Sequence, residues 1–191
     1  MKVQRMIKSD VSTFEIGDII KFRLTDGEKV QAMAVQREAD GMIFCFVDCL
    51  KQEYPMNNTS TNEGGYENSL LRKKLNGEIF NRFPDKIRSV LVPFENGNYL
   101  RLPTEVEIFG ENTYGEEEDT DVVEQWKPMK KRKNRITFQG NGTDAWEWYW
   151  LQNKARNSAA CFAVVRGSGG AAYDSASNSN GVRPAFKIRN L

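Results

Sequence analysis

Apolar runs separated by short polar turns fill the first quarter of the chain, a pattern typical of antiparallel strands. Residues 18–24 and 29–36 flank an Asp-Gly turn, which favours a hairpin. After a second Asp-Gly turn, residues 42–47 are apolar on both faces of an extended chain, as expected of a central strand. We predict a three-stranded β-meander within residues 1–53, packed on the rest of the chain.

Helix signals follow in the middle of the chain. Ser69 is a good N-cap, and Asn76-Gly77 is a helix-ending pair, so a helix is predicted between them. A second short helix is predicted to begin at Pro84 and to direct Ile87 and Leu91 inward.

The capping-box spacing of Thr104 and Glu107 predicts a third helical turn that stops at Gly110. The remainder returns to short runs of strand type. Because strands at both ends enclose short helices, the pattern predicts one α+β domain spanning residues 1–191. The predicted strands are residues 135–138, 146–151, 160–166, 171–174 and 181–188.

Residues 111–134 form a charged insertion before these final strands. The acidic part, residues 116–121, lacks the alternating ligands and central glycine of an EF-hand. The basic part, residues 127–135, lacks interleaved aromatics. We expect two solvated loops that neutralise each other, with a calcium site and a nucleic-acid patch as the alternatives.

The amino-acid composition excludes several classes of catalytic and metal site. The chain has no histidine, which removes the Ser-His and Cys-His nucleophile pairs and a common metal ligand. Its three cysteines, Cys45, Cys49 and Cys161, show neither zinc spacing nor a disulfide framework, so no metal or other cofactor is expected. Cys45 and Cys49 lie in an apolar run and are predicted to be buried thiols.

Neither the charge nor the hydropathy of the chain points to nucleic acid or membrane. A net charge of +1 gives no global attraction to nucleic acid or anionic lipid. The N-terminus is too polar for a signal peptide, and no apolar window is long enough for a membrane span. We expect a protein that is cytoplasmic at synthesis, with association with a virion as an open alternative.

Four phrases resemble those of a known family and occur in its order. Residues 68–76 resemble its S-x-L-R-x-x-L-N helix, and residues 100–107 resemble its L-P-(S/T)-x-x-E segment. Residues 149–152, Tyr-Trp-Leu-Gln, resemble W-W-L-R, and residues 181–186 match G-V-R-P-A-F. The family is the C-type-lectin-like domain of unknown function from bacterial and phage proteins, related to the formylglycine-generating-enzyme fold.

This resemblance implies a C-type-lectin-like fold with two short helices and an irregular, mainly antiparallel sheet. Some members are variable proteins of diversity-generating retroelements, whose segment between the W-W-L-R and G-V-R-P phrases is hypervariable and binds ligand. Gln152 replaces the arginine of the first phrase, which puts an internal ion pair in doubt. The calcium-lectin triplets and the paired cysteines of the oxidase are absent, so neither activity is implied.

The candidate binding residues lie near or within residues 152–180, a segment rich in Asn, Ser, Ala and Gly. That composition is typical of adaptable binding loops with aromatic anchors, although Asn, Ser and Gly also build ordinary turns. Trp150 and Leu151 are predicted to be core residues. The candidates are Trp146, Trp148, Asn153, Arg156, Asn157, Phe162, Arg166, Tyr173, Asp174 and Asn178.

The resulting hypothesis is a non-catalytic protein that binds a protein or glycan ligand through residues 152–180. A hypervariable product of a diversity-generating retroelement is the specific form that the resemblance implies. A structural or adhesion protein of a phage or contractile particle is the alternative, and an oxidase-like enzyme is a third.

Overall fold

The computed structural model describes residues 14–117, 124–140 and 146–190. The strands are β1 (Ile19–Arg23), β2 (Lys29–Arg37), β3 (Gly41–Phe46), β4 (Tyr54–Pro55), β5 (Leu91–Val92), β6 (Leu100–Arg101), β7 (Thr137–Phe138), β8 (Trp146–Glu147), β9 (Tyr149–Lys154), β10 (Cys161–Val165), β11 (Ala171–Ser175), β12 (Ser179–Asn180) and β13 (Ala185–Arg189). The α-helices are α1 (Gly65–Asn68), α2 (Leu70–Lys74), α3 (Asp85–Arg88) and α4 (Glu105–Phe109), and a π-helix covers Leu75–Ile79. Two 3₁₀ turns cover Lys127–Lys130 and Arg132–Asn134.

The largest sheet joins the two ends of the chain. Its order is β1-β2-β3-β13-β5, and β6 also pairs with β13. The predicted meander β1–β2–β3 is confirmed, with antiparallel pairing throughout. The last strand lies against the third, with Phe186 opposite Phe44 and their rings stacked 5.8 Å apart. A sequence-distant pairing therefore closes the central sheet.

Central strands are buried on both faces, and each face contributes to a different core cluster. In β3, Phe44 belongs to the larger cluster and Ile43 to the smaller one. In β9, Trp150 faces the larger cluster and Leu151 the smaller one, which confirms both as core residues. Because side chains alternate along a strand, one strand can hold two layers of core together.

Short sheets carry the C-terminal third. Strands β9, β10 and β11 form an antiparallel sheet in which β10 is central, and the register of β9 against β10 shifts between Phe162 and Val164. Two ribbons, β4–β12 and β7–β8, lie beside it. The pairs between named strands are antiparallel, so helices and mainly antiparallel sheets make up an α+β fold.

Two of the predicted strands are shorter than expected. The last begins at Ala185, so Pro184 stands just outside it, in agreement with its inability to donate to a ladder. The run predicted at 135–138 pairs only as β7. Across the described residues, no helix is long and apolar enough to cross a membrane.

The first predicted helix has the expected start but a different end. The Ser69 hydroxyl accepts a hydrogen bond from the Arg72 N–H, which confirms the N-cap. The helical path does not stop at Asn76-Gly77 and continues as the π-helix to Ile79. Asn76 instead uses its side-chain oxygen to accept the N–H of Leu100 at 3.0 Å, so its polar group binds a neighbouring segment.

The other two helices follow their local signals closely. Helix α3 begins directly after Pro84, whereas Leu91 is already in strand β5 and not in the helix. The predicted capping box of Thr104 and Glu107 is present at the start of α4. Gly110 ends that helix with φ of +85°, a conformation that favours glycine.

Candidate functional site

Two tryptophans project into solvent while a third is buried. Trp146 is 67% exposed and Trp148 is 39% exposed, whereas Trp150 is fully buried. The single strand predicted here is divided, because β8 pairs with β7 and β9 pairs with β10. Trp148 lies at the break, and its carbonyl accepts the Gly181 N–H at 2.8 Å. The change of strand partner lets Trp146 and Trp148 leave the face that buries Trp150.

The turn between β10 and β11, residues 166–170, packs against Trp146 on one side. On its other side it packs against the basic segment, residues 127–135. A Cβ at Gly167 would lie 3.1 Å from the Cβ of Trp146. Gly169 has φ of +77°, and a Cβ there would lie 3.2 Å from the Arg132 carbonyl oxygen. The close approach on both sides depends on glycine.

The basic segment, residues 127–135, packs against this turn. It forms the two 3₁₀ turns, and Arg132 Nε donates to the Ser168 carbonyl at 2.8 Å. Arg135 Nε donates to the Gly169 carbonyl at 3.1 Å, and its guanidinium lies 5.2 Å from the Phe109 ring centroid. Both arginines therefore hold the turn through backbone carbonyls.

The expected neutralisation between the acidic and basic runs is not observed among the described residues. Glu116 pairs with Lys154 at 2.8 Å, on strand β9, instead of with the basic run. Residues 118–121 of the acidic run lie outside the described residues. Most of the side chains of the alternative calcium site are among them.

Arg166 contacts one of the exposed tryptophans. Its guanidinium lies 5.7 Å from the centroid of the Trp148 ring, within cation–π range. Where the structure describes both partners, no ion pair involves Arg166 or the exposed cations of the basic segment. We call this group the aromatic–basic surface; its members are Trp146, Trp148, Arg166, Lys131, Arg132 and Lys133.

A second exposed aromatic group lies on β11. Tyr173 is 52% exposed, and its ring lies 5.4 Å from that of Tyr114. Arg156 is exposed but is directed to the backbone, because its Nη2 donates to the carbonyls of Asn112 and Gly115. The tyrosine pair is smaller than the aromatic–basic surface, and its neighbouring arginine is already engaged.

Asn153 and Glu105 hold the loop that carries Tyr114. The Asn153 side-chain oxygen accepts the Glu105 N–H at 2.7 Å, and the Glu105 carboxylate accepts the Gly115 N–H at 2.7 Å. Burial raises the pKa of Glu105, and the backbone hydrogen bonds oppose that shift. Asn153 is itself buried, so this predicted contact residue has a structural role.

The remaining candidates divide between core and surface. Phe162 is fully buried in the larger core cluster, so it is removed from the predicted contact residues. Asp174 accepts hydrogen bonds from Asn178 at 2.8 Å and from Asn180 at 2.9 Å, which orders the chain before β12. Asn157 is exposed in the turn after β9.

Residues of the four family phrases lie in the buried scaffold next to these surfaces. Arg183 is buried and donates to the Phe46 carbonyl at 2.6 Å and to the Tyr149 hydroxyl at 3.0 Å. Gln152, which stands where the family phrase has arginine, donates to the Leu102 carbonyl at 2.5 Å. An amide–carbonyl bond thus occupies the position of the doubtful ion pair.

An acidic pair beside the tryptophans has no signal in the sequence. Glu147, between Trp146 and Trp148, lies near Glu53 from a distant loop. Burial, followed by the charge of Glu53, raises the pKa of Glu147 to about 7. Glu147 therefore gains or loses its proton near neutral pH.

The cysteines are free thiols. Cys45 and Cys49 are buried, as predicted, and burial raises the pKa of Cys45 to about 11 and of Cys49 to about 12. Both thiols are therefore protonated and unreactive near neutral pH. Within the described residues, no group of three or more Cys, Asp or Glu side chains is arranged to hold a metal ion.

A polar cleft of about 420 Å³ has no tryptophan in its lining. Its arginine, Arg82, donates to Asp26 at 2.7 Å and pairs with Glu28, and Glu78 accepts a bond from Tyr54. Its carboxylates are thus already engaged. The cleft is lined by Asp26, Glu28, Lys51, Gln52, Glu78 and Arg82.

Comparison with known proteins adds one match. A family model described as a domain of unknown function, DUF6273, covers residues 40–190. No curated protein and no solved structure matches the chain.

Proposed function

The chain belongs to the DUF6273 family, a domain of unknown function, and we propose that it is a non-catalytic ligand-binding protein that uses the aromatic–basic surface. The observation that carries the proposal is the exposure of two adjacent tryptophans, Trp146 at 67% and Trp148 at 39%. Exposed tryptophans beside arginine are the commonest anchors of binding surfaces.

The rigidity of the scaffold supports this role. Strand β9 begins directly after Trp148 with the buried Tyr149 and Trp150, and Trp150 Nε1 donates to the Tyr54 carbonyl at 2.8 Å. A surface anchored in this way loses little conformational entropy when a ligand binds. Little of the favourable free energy of the contacts is therefore offset by ordering of the protein.

We also propose that the fold is C-type-lectin-like. The four family phrases occupy positions that shape the frame: Ser69 caps α2, Thr104 starts the α4 capping box, Trp150 is in the core and Arg183 is buried. These caps and buried residues stabilise the scaffold. The surface residues between the phrases therefore remain free to contact a ligand. A non-catalytic role agrees with the absence of histidine and with the protonated thiols.

Diversification of residues 152–180 is the more specific form of the proposal. Arg156, Asn157, Arg166, Tyr173 and Asn178 are exposed within this segment, so substitutions there change the surface without changing the core. The test is genomic: a near-copy of the DNA encoding this segment, mismatched mainly at adenines and close to a reverse transcriptase gene, supports it. Without such a copy, the diversification proposal fails and ligand binding still stands.

A binding screen tests the main proposal. Wild type and the Trp146→Ala, Trp148→Ala double variant are compared on a glycan array and on a displayed peptide library. Ile19→Ala is the matched control, because Ile19 is 42% exposed on β1 in a different sheet. We expect ligands captured by wild type and by the control to be lost by the double variant. Equal capture by all three proteins would contradict the assignment.

A further inference from the structure

The aromatic–basic surface includes several exposed cations, although the net charge of the chain is only +1. They are Arg166, Lys131, Arg132 and Lys133, in segments that meet at the β10–β11 turn. Within the described ranges these four side chains have no carboxylate partner. Exposed cations without a carboxylate partner favour an anionic ligand.

The geometry of Arg166 favours a planar anion beside a flat ring. Its guanidinium lies over the Trp148 ring at 5.7 Å, and it keeps its fork of donors free of other described side chains. Such a fork matches the two oxygens of a carboxylate. Trp146 is the most exposed large apolar side chain among the described residues, and its Cβ lies close to Gly167, which follows Arg166. Its exposed indole offers a face on which a sugar ring can stack.

We propose that the aromatic–basic surface binds an acidic polysaccharide, a glycan whose rings carry carboxylate groups. This inference rests on the proposed binding function and specifies its ligand class. Sugar rings stack on the tryptophans while their carboxylates pair with Arg166 and the neighbouring cations.

A polysaccharide fits this surface better than a single-stranded nucleic acid. A nucleic acid needs cations spaced along a groove that follows several phosphates. Here Arg132 reaches the turn that follows Arg166, and a carboxylate residue, Glu147, lies between Trp146 and Trp148, so the run of cations is short. A short run of uronate residues requires only a local cationic patch.

The test measures binding of polygalacturonate, neutral galactan and a single-stranded oligonucleotide to the full chain. We expect polygalacturonate to bind more tightly than either of the others, and to weaken as sodium chloride rises from about 50 to about 500 mM. Trp146→Ala is expected to weaken binding by roughly tenfold or more, since it removes the stacking face and keeps its Cβ against Gly167.

Paired arginine variants separate charge from stacking. Arg166→Gln is expected to lower affinity for polygalacturonate roughly tenfold and to leave any weak galactan binding unchanged. Arg189→Gln is the matched control, because Arg189 is exposed on β13 in another sheet. Circular dichroism spectra of both variants should match wild type.

The outcomes are distinguishable from those of the general binding screen. Equal binding of galactan and polygalacturonate, lost in Trp146→Ala, overturns the acidic ligand and leaves the binding function in place. Preference for the oligonucleotide overturns it in favour of nucleic acid. No binding of polygalacturonate at millimolar uronate also overturns it, whatever the array and peptide screen show.

Discussion

Arg183 and Tyr149 form a buried pair at the centre of the frame, with Arg183 Nη1 donating to the tyrosine hydroxyl at 3.0 Å. The guanidinium also lies 5.2 Å from the tyrosine ring centroid. Its other nitrogens donate to the carbonyls of Phe46 and Asn134. One side chain thus joins the central sheet, the second sheet and the end of the basic segment.

Replacing this arginine should destabilise the fold. Arg183→Met would leave the carbonyl oxygens of Phe46 and Asn134 buried without that donor, at a cost of about 3 kcal/mol in the free energy of unfolding. Urea denaturation followed by tryptophan fluorescence measures the loss. Arg189→Met, at an exposed position, should stay close to wild type. Matching urea midpoints for Arg183→Met and wild type would show that the buried guanidinium is dispensable.

The Glu53–Glu147 pair should make stability depend on pH. The pKa of Glu147 in the folded protein, about 7, exceeds its ordinary value of 4.5, so the native state holds the proton more tightly than the unfolded state. This contribution to stability is complete below about pH 4.5 and is lost as pH rises through about 7.

Glu147→Gln tests that dependence. The amide cannot ionise, so the melting temperature of the variant should fall less than that of wild type between pH 5 and pH 8. Glu63→Gln, at an exposed position, serves as the control. Asp48 and Glu105 also have raised pKa values, so the difference between variant and wild type is the relevant quantity. Parallel curves for wild type and Glu147→Gln would contradict the raised pKa of Glu147.

A glycine pair tests the turn that supports the aromatic–basic surface. Gly169→Ala should lower stability by about 1–2 kcal/mol, because φ is +77° and its new Cβ would press on Ile136 and the Arg132 carbonyl. Gly170→Ala is the neighbouring control, since the nearest atom to its Cβ would be 3.8 Å away. Thermal denaturation compares the two. If Gly170→Ala costs as much as Gly169→Ala, the turn is not constrained in this way.

Tyr173→Ala discriminates between the two exposed aromatic groups. Tyr173 is 52% exposed, so its truncation should change stability by less than about 0.5 kcal/mol. Because the proposed contacts lie at Trp146, Trp148 and Arg166, binding of any ligand found in the screen should survive. Loss of binding with unchanged stability would transfer the site to the Tyr114–Tyr173 pair.

The sequence predicts an element well where the stabilising hydrogen bonds join residues that are close along the chain. The Thr104–Glu107 capping box and the Ser69 N-cap are formed by residues three positions apart, so sequence spacing is sufficient to identify them. The end of α2 was mispredicted because Asn76 bonds to Leu100, a partner that spacing does not reveal.

The candidate site was predicted only in part. The period of two placed Trp146, Trp148 and Trp150 on one face, but the strand changes partner at Trp148 and the faces diverge. Phe162 and Asn153 were included for their segment and composition, whereas tertiary contacts bury both. The sequence predicts a solvated loop for Lys131, Arg132 and Lys133, and all three are exposed. Nothing near them in the chain indicates that Arg132 binds the Ser168 carbonyl.

The sequence by itself determined the meander, the helix caps and the buried character of β3 and Trp150, since alternation and capping depend on neighbours along the chain. Only the tertiary structure decided which tryptophans face solvent. It also brought the basic segment to the β10–β11 turn and placed Glu53 against Glu147. Those features depend on pairings between distant segments, which are selected by the packing of the whole chain. The hydrophobic periodicity of a single segment does not indicate its distant partner.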